Sequence, residues 1–146
     1  MPPLSDPAVV RLCELREEPL DVAEVLEALG DDGSGGVTLF VGRVRDHDHG
    51  SGVTGLEYSA HPSAQETMAG VCERVAERFD VHAVAAVHRV GTLAIGDLAV
   101  IVGTATAHRG EAFEATRALI DTLKAEVPIW KHQLFTDGTE EWVGAP

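Results

Sequence analysis

The order of strand-like and helix-like segments constrains the fold of this chain more than any other feature. Apolar runs rich in branched residues, typical of strands, occur in groups, and three segments with helical spacing lie between them. The clearest helix follows Ser63, because apolar residues recur on one helical face from Met68 to Phe79. This order favours an α+β fold with a largely antiparallel sheet and about three helices. The length of 146 residues favours one domain, spanning residues 1–146.

Capping and turn residues set the predicted limits of these segments. Asp21 with Glu24, and Ser63 with Glu66, have the spacing of a capping box at a helix start. A third helix is predicted over about 110–126, and Pro128 ends it because proline disfavours helical geometry in the preceding residue. Strands are predicted at 8–16, 37–44, 56–59, 84–90, 98–106, 129–135 and 141–143.

The same patterns predict which side chains are buried and which segments pair. Leu26 is expected on the apolar face of the first helix, and Phe113 and Ile120 on that of the third. The strands at 84–90 and 98–106 are expected to pair antiparallel, and the last two strands to form a hairpin. Residues 46–55 have the composition of a mobile loop.

The charge balance excludes several classes of partner. With 24 acidic and 11 basic residues, the net charge is −13, which argues against a nucleic-acid-binding surface and against anionic membranes. No apolar run approaches the roughly 18 residues of a membrane helix. Residues 85–135 depart from the acidic average, because they hold five groups of each sign and three histidines. A local cationic site is therefore expected in the second half of the chain.

The two cysteines indicate a reduced compartment. Cys13 and Cys72 are too few for a disulfide framework, so we expect a cytoplasmic protein. Cys72 lies on the apolar face of the second helix and is interpreted as a core thiol, whereas Cys13 has no motif around it. Neither cysteine is predicted to carry sulfur.

Lysine usage points to chemistry. Nine of the 11 basic residues are arginine, and the only lysines are Lys124 and Lys131. Arginine stays charged, whereas a lysine amine that is partly buried or near another cation loses its proton and acts as base or nucleophile. Lys124 falls at the end of the third helix and Lys131 on the following strand, so the turn at Pro128 is expected to bring them together. The alternative is a structural role, in which Lys124 only complements the helix dipole and Lys131 is only a solvated side chain.

Other basic positions complete a candidate anion site. His108 and Arg109 stand where a strand meets a helix, and such a junction presents free N–H groups to an anion. Arg43 and Arg45 share a face at the end of a strand. The segment 46–49 alternates Asp and His, but its spacing is not specific, and we assign neither a metal nor a cofactor. These features predict a pocket for a small anionic, phosphorylated molecule.

Four segments resemble, in order and spacing, the large catalytic subunit family of molybdopterin synthase, the MoaE family. They are residues 40–45, 87–91, 107–109 and 123–131, and the resemblance extends over about 8–143. It implies an α/β hammerhead-like fold and the transfer of two sulfurs to cyclic pyranopterin monophosphate, which makes the molybdopterin dithiolene. The implied donor is the C-terminal thiocarboxylate of a small ubiquitin-like sulfur-carrier subunit. Two large subunits would form a homodimer at the centre of a heterotetramer.

The resemblance also assigns residues. Lys124 matches the essential lysine of the family, and Lys131 matches the second lysine. The implied substrate-binding positions are Arg43, Val44, Arg45, His108, Arg109, Lys124, Lys131, His132 and Gln133. Three of these depart from the family pattern. His132 stands where members commonly carry Arg or Lys, Gln133 where an acid is common, and Arg43 where a lysine is frequent, which keeps the charge but not the chemistry.

Other functions remain open at this point. A non-catalytic module for a phosphorylated pterin or nucleotide would use Arg45, His108 and Arg109 for binding and the lysines only for charge. A structural adaptor would bind an acidic protein partner without a small molecule. An independent Schiff-base lysine enzyme would need no protein partner.

Overall fold

The computed structural model describes residues 8–48 and 50–144, and these form nine strands and three helices. The strands are β1 (Val10–Arg16), β2 (Gly36–Arg43), β3 (His47–Asp48), β4 (Ser51–Ala60), β5 (Ala83–Arg89), β6 (Gly91–Leu93), β7 (Leu98–Thr106), β8 (Ile129–Phe135) and β9 (Glu140–Gly144). The helices are α1 (Val22–Ala28), α2 (Ala64–Arg78) and α3 (Arg109–Glu126). The predicted α+β class with three helices is confirmed. No helix within the described ranges is long and apolar enough to cross a membrane.

The first sheet has the order β1-β5-β7-β2 and forms the centre of the core. The predicted antiparallel pairing of β5 with β7 is confirmed, whereas β1 pairs with β5 in parallel. Every residue of β5 is buried, because α1 covers one face of this sheet and α2 and α3 cover the other. The apolar residues of this sheet therefore belong to both of the large hydrophobic clusters of the fold.

The second sheet has the order β3-β4-β8-β9, and β6 pairs with β4. The prediction of a mobile loop over 46–55 is wrong for most of that segment, because β3 and β4 form an antiparallel hairpin there. The predicted hairpin of β8 and β9 is confirmed, and Gly138 takes a φ of 85° in its turn, which favours glycine. This sheet carries the lysine-bearing strand β8.

Some predicted local contacts differ in the structure. Asp21 caps α1 by accepting a hydrogen bond from the N–H of Ala23 at 3.0 Å, but Glu24 bonds Arg16 rather than closing a capping box. Ser63 makes no side-chain cap and instead bonds His61. In both cases a side-chain partner replaces the backbone N–H that a capping box would use.

The burial prediction fails at two helical positions. Leu26 is 50% exposed and Phe113 is 59% exposed. Each lies at the margin of a helical apolar face, where the neighbouring sheet no longer covers it. Ile120 packs against the core cluster as a partly buried residue.

Candidate active site

The two lysines come together where α3 ends and β8 begins. Lys124 lies in the last turn of α3, and the helix ends at Val127, whose backbone is already extended before Pro128. Lys131 is on β8, directly opposite Tyr58 of β4 in the antiparallel register. The predicted break at Pro128 therefore turns the chain so that both amines face one region.

Burial and charge both act on Lys124. Lys124 is an exposed residue by its surface, but partial desolvation of its ammonium lowers the pKa of Lys124, and the positive charge of Lys131 lowers it further. A lysine with a lowered pKa has more of the neutral amine at neutral pH, which is the form that accepts a proton or attacks a carbon. The favoured chemistry of this position is therefore acid–base or nucleophilic.

His88 is a site residue that our sequence interpretation did not assign. It is 2% exposed, and its Nδ1 lies 2.6 Å from the carbonyl oxygen of Arg89. A carbonyl only accepts hydrogen bonds, so Nδ1 carries the proton and Nε2 keeps its lone pair. Burial, together with the charge of Lys124, lowers the pKa of His88 to about 4. His88 is therefore a neutral neighbour of Lys124 at physiological pH.

Tyr58 is a second unassigned site residue; His88 at least lies in the segment 87–91 that resembles the family, whereas Tyr58 lies in none of the four segments. Its ring packs edge-on against His88, with centroids 4.9 Å apart and an interplanar angle of 87°. Burial raises the pKa of Tyr58, so its phenol stays protonated as a hydrogen-bond donor. Only the pairing of β4 with β8 brings this phenol next to Lys131.

A small cavity of about 50 Å³ opens beside Lys131. Its lining includes Arg43, Arg45 and Tyr58 as well as Lys131. Val44, between the two arginines, is buried and contributes to the apolar cluster beneath the cavity. The predicted grouping of the arginine pair with Lys131 is thus present in the fold.

Gln133 and Asp48 organise one wall of this cavity. Gln133 is 2% exposed and donates from Nε2 to an oxygen of Asp48. Arg45 approaches the other oxygen of Asp48 at 3.4 Å. Gln133 thus acts on the cavity by holding the carboxylate that in turn positions Arg45.

His132 lies on the opposite face of β8 from Lys131, because successive residues of a strand point to opposite faces. Its Nε2 is 2.5 Å from Glu140, and its ring stacks on Trp142 with centroids 4.3 Å apart. This environment differs from the cavity that holds Lys131. Of the predicted site residues on β8, His132 therefore lies on the opposite face of the strand from Lys131 and Gln133.

His108 and Arg109 lie at the other end of α3. Both are exposed, and Arg109 is the first residue of the helix. From 109 to 124 a helix rises ~22 Å, at ~1.5 Å per residue. The expectation of a single pocket formed by these residues and the lysines is thus wrong for one chain, because α3 is continuous and holds its two ends apart.

No group of three or more metal-ligating side chains occurs within 8–48 and 50–144. Asp46 and His47 pair with each other at 2.8 Å on the surface. His49, the last residue of the alternating Asp and His segment, lies outside the described residues. The described cavity is lined by cations, a phenol, an amide and the carboxylate of Asp48.

Comparison with known proteins places this geometry in a family. The MoaE protein family matches residues 15–126. The molybdopterin synthase catalytic subunit 1 of Mycobacterium tuberculosis is 45% identical over 133 residues, covering 90% of each chain. The molybdopterin synthase catalytic subunit of Bacillus subtilis is 33% identical over 90% of this chain and 83% of its own length.

A solved structure agrees with the sequence relatives. The crystal structure of molybdopterin synthase from Staphylococcus aureus superposes with a TM-score of 0.83 at 32% identity, covering 90% of this chain and 96% of that chain. Family match, sequence identity and fold agree over most of the chain. This chain belongs to the MoaE family.

Proposed function

We propose that this chain is the catalytic subunit of a molybdopterin synthase and that it transfers sulfur to cyclic pyranopterin monophosphate. The sulfur arrives as the C-terminal thiocarboxylate of a small ubiquitin-like subunit, and two transfers make the dithiolene. The observation that carries the proposal is the meeting of Lys124 and Lys131 beside an arginine-lined cavity.

Charge complementarity supports this substrate and this donor. The phosphate of the pterin and the thiocarboxylate are both anionic, and the chain carries a net charge of −13 that repels anions overall. The candidate site is a local cluster of positively charged side chains, formed by Arg43, Arg45, Lys124 and Lys131. An anion is therefore attracted to this region rather than to the rest of the surface.

The lysines have separate roles in the proposed reaction. Lys124, with its lowered pKa, acts on the reacting carbon or acyl group as base, acid or nucleophile. Lys131 keeps the pKa of Lys124 low and stabilises negative charge that develops on the reacting atoms. Tyr58 adds a neutral donor beside them.

A homodimer gives His108 and Arg109 a role in the same reaction. They lie ~22 Å from Lys124 along α3 of their own chain. We propose that the α3 N-terminus of a second copy supplies the phosphate-binding groups, since exposed N–H groups and a guanidinium suit a phosphate. A small subunit at each end of this dimer completes the proposed heterotetramer.

Dithiolene formation tests the proposal directly. Wild type and Lys124→Arg are incubated with cyclic pyranopterin monophosphate and a thiocarboxylated small subunit, and the product is quantified. Wild type is expected to form the dithiolene, and the variant about a thousandfold less, because arginine keeps the charge but does not release a proton. Arg117→Lys, on the exposed face of α3, is the matched control and should behave as wild type.

Failure of this test has a defined meaning. A folded wild type that binds both components and forms no product would contradict the proposed enzyme and favour the phosphorylated-pterin binding module. Full activity in Lys124→Arg would remove the chemical role of Lys124 while leaving its charge in place.

A further inference from the structure

Cys13 and Cys72 lie against each other in a part of the molecule that the proposed reaction does not use. Cys13 is half-buried in β1, Cys72 is buried in α2, and their Sγ atoms are 3.8 Å apart. A disulfide has an S–S distance of about 2.05 Å, so the sulfurs need to approach by about 1.8 Å. The sequence alone gave no reason to pair residues 59 positions apart.

Gln65 holds the two elements that carry these thiols. Its Nε2 donates to the carbonyl oxygen of Cys13 at 2.8 Å, and its Oε1 accepts from the N–H of Leu15 at 3.0 Å. Because β1 is an edge strand of the first sheet, Gln65 satisfies backbone groups that have no neighbouring strand. Cys72 follows Gln65 by seven residues, which places both on one face of α2. The side-chain amide therefore holds Cys13 against α2 on the face that carries Cys72.

The two thiols differ in reactivity. The S–H of Cys72 points at the sulfur of Cys13, and this hydrogen bond lowers the pKa of Cys13, whereas burial and the charges of Glu14 and Glu73 oppose the effect. The interaction with Cys13, followed by burial, raises the pKa of Cys72. Cys13 thus ionises more readily than Cys72, which is a buried, protonated thiol at contact distance.

We propose that Cys13 and Cys72 are a peroxide-oxidised pair that forms a reversible disulfide between β1 and α2. The Cys13 thiolate attacks one oxygen of the peroxide, the O–O bond breaks, and a sulfenic acid forms with release of water after protonation. The Cys72 sulfur then attacks the Cys13 sulfur, the S–S bond forms, and the S–O bond breaks to release a second water. Two thiols are oxidised, one hydrogen peroxide is reduced to two waters, and a thiol reductant restores the pair.

The disulfide is independent of the proposed sulfur transfer. The lysines lie at the end of α3 and on β8, whereas the thiols link the edge strand β1 to α2. A cross-link between positions 13 and 72 limits the unfolded chain and so stabilises the fold. It also prevents Cys13 from proceeding to the irreversible sulfinic acid.

Peroxide treatment of the full chain tests the proposal. Stoichiometric hydrogen peroxide is expected to lower the mass by about 2 Da, the two hydrogens lost when a disulfide forms. Peptide mapping without reductant should link Cys13 to Cys72, and Tm should rise by roughly 5–10 °C, reversibly with dithiothreitol. Intact mass, free-thiol titration and calorimetry measure these changes.

Three variants separate this pair from nonspecific oxidation. Cys13→Ser should resist dilute peroxide, since its remaining thiol is buried and protonated. Cys72→Ala should gain oxygen atoms on Cys13, because no resolving thiol is present. Gln65→Leu keeps a similar volume but loses both hydrogen bonds to β1, and should form the disulfide several-fold more slowly.

Defined results would overturn the proposal. Two free thiols after peroxide treatment of wild type would contradict it, as would disulfides only between chains. Accumulation of oxygen on Cys13 in wild type to the same extent as in Cys72→Ala would show that Cys72 does not resolve the sulfenic acid.

Discussion

The basic residues at the two ends of α3 have different neighbours. At the N-terminus, His108 and Arg109 are exposed, and the first turn of the helix presents free N–H groups to solvent. At the C-terminus, Lys124 is also exposed, but its ammonium is partly desolvated, faces the charge of Lys131 and lies near the buried ring of His88. One helix therefore presents permanent positive charge at one end and a titratable amine at the other.

Under the proposed function, this difference assigns anion binding to the N-terminal end of α3 and the chemical step to its C-terminal end. An exposed guanidinium at a helix N-terminus holds an anion without changing its own protonation. Lys124 gives up its proton more readily than a fully solvated lysine, because both partial desolvation and a neighbouring cation disfavour its charged form. The comparison predicts that substitutions at the N-terminal end reduce activity through weaker anion binding, and those at the C-terminal end through loss of the titrating amine.

The largest expected effect comes from disabling each end in a different chain. In the proposed homodimer, Lys124→Ala in both chains, or Arg109→Ala in both chains, should reduce dithiolene formation at least about a hundredfold. A heterodimer of one chain of each variant, purified with two affinity tags, should recover about half of the wild-type rate, because one of its two sites is intact. A heterodimer as inactive as both homodimers would contradict a site shared between copies.

The burial of His88, near the C-terminal end of α3, predicts how stability depends on pH. Its pKa of about 4 lies below the ordinary value of 6.5, so below pH 6.5 the unfolded chain binds a proton that the folded chain does not. Stability should therefore fall as pH drops from 6.5 towards 4, by about 3 kcal/mol from this group. Urea unfolding at pH 7 and pH 4.5 measures the loss, and His88→Gln should reduce it. An equal loss in wild type and variant would assign the acid sensitivity to other groups.

Lys131→Gln tests whether the charge of Lys131 lowers the pKa of Lys124. Removing the positive charge should raise the pKa of Lys124 and move the pH profile of kcat to higher pH, since the neutral amine then forms only at higher pH. Lys131→Arg keeps the charge and should keep the position of the profile. Equal profiles in wild type and Lys131→Gln would show that the two amines do not interact in the functional assembly.

The smallest expected effect belongs to Tyr58. Tyr58→Phe keeps the ring that packs on His88 but loses the hydroxyl donor beside Lys131. We expect kcat/KM to fall by about tenfold, the order of one hydrogen bond, with no change in Tm. A matched Thr54→Val change removes an exposed hydroxyl elsewhere on β4 and should leave activity unchanged. Wild-type activity in Tyr58→Phe would exclude a role for the phenol.

Local sequence patterns predicted the elements that depend on neighbours in the chain. Pro128 ends α3 because its ring acts on the preceding residue, and Gly138 closes the β8–β9 hairpin by its conformational freedom. The alternation that places Lys131 and Gln133 on one face follows from the strand period, and the same period places His132 on the other. The exposure of Phe113 lay beyond such patterns, because it depends on where the neighbouring sheet stops.

The sequence by itself determined the helices, most strands, the scarcity of lysine and the resemblance to a family, since these depend on residue type, spacing and order. Only the tertiary structure decided that Tyr58 and His88 accompany the lysines, and that Cys13 meets Cys72. It also decided that α3 holds Arg109 away from Lys124. These facts depend on which distant segments pack together, and that choice is made by the burial of the whole core rather than by any local pattern.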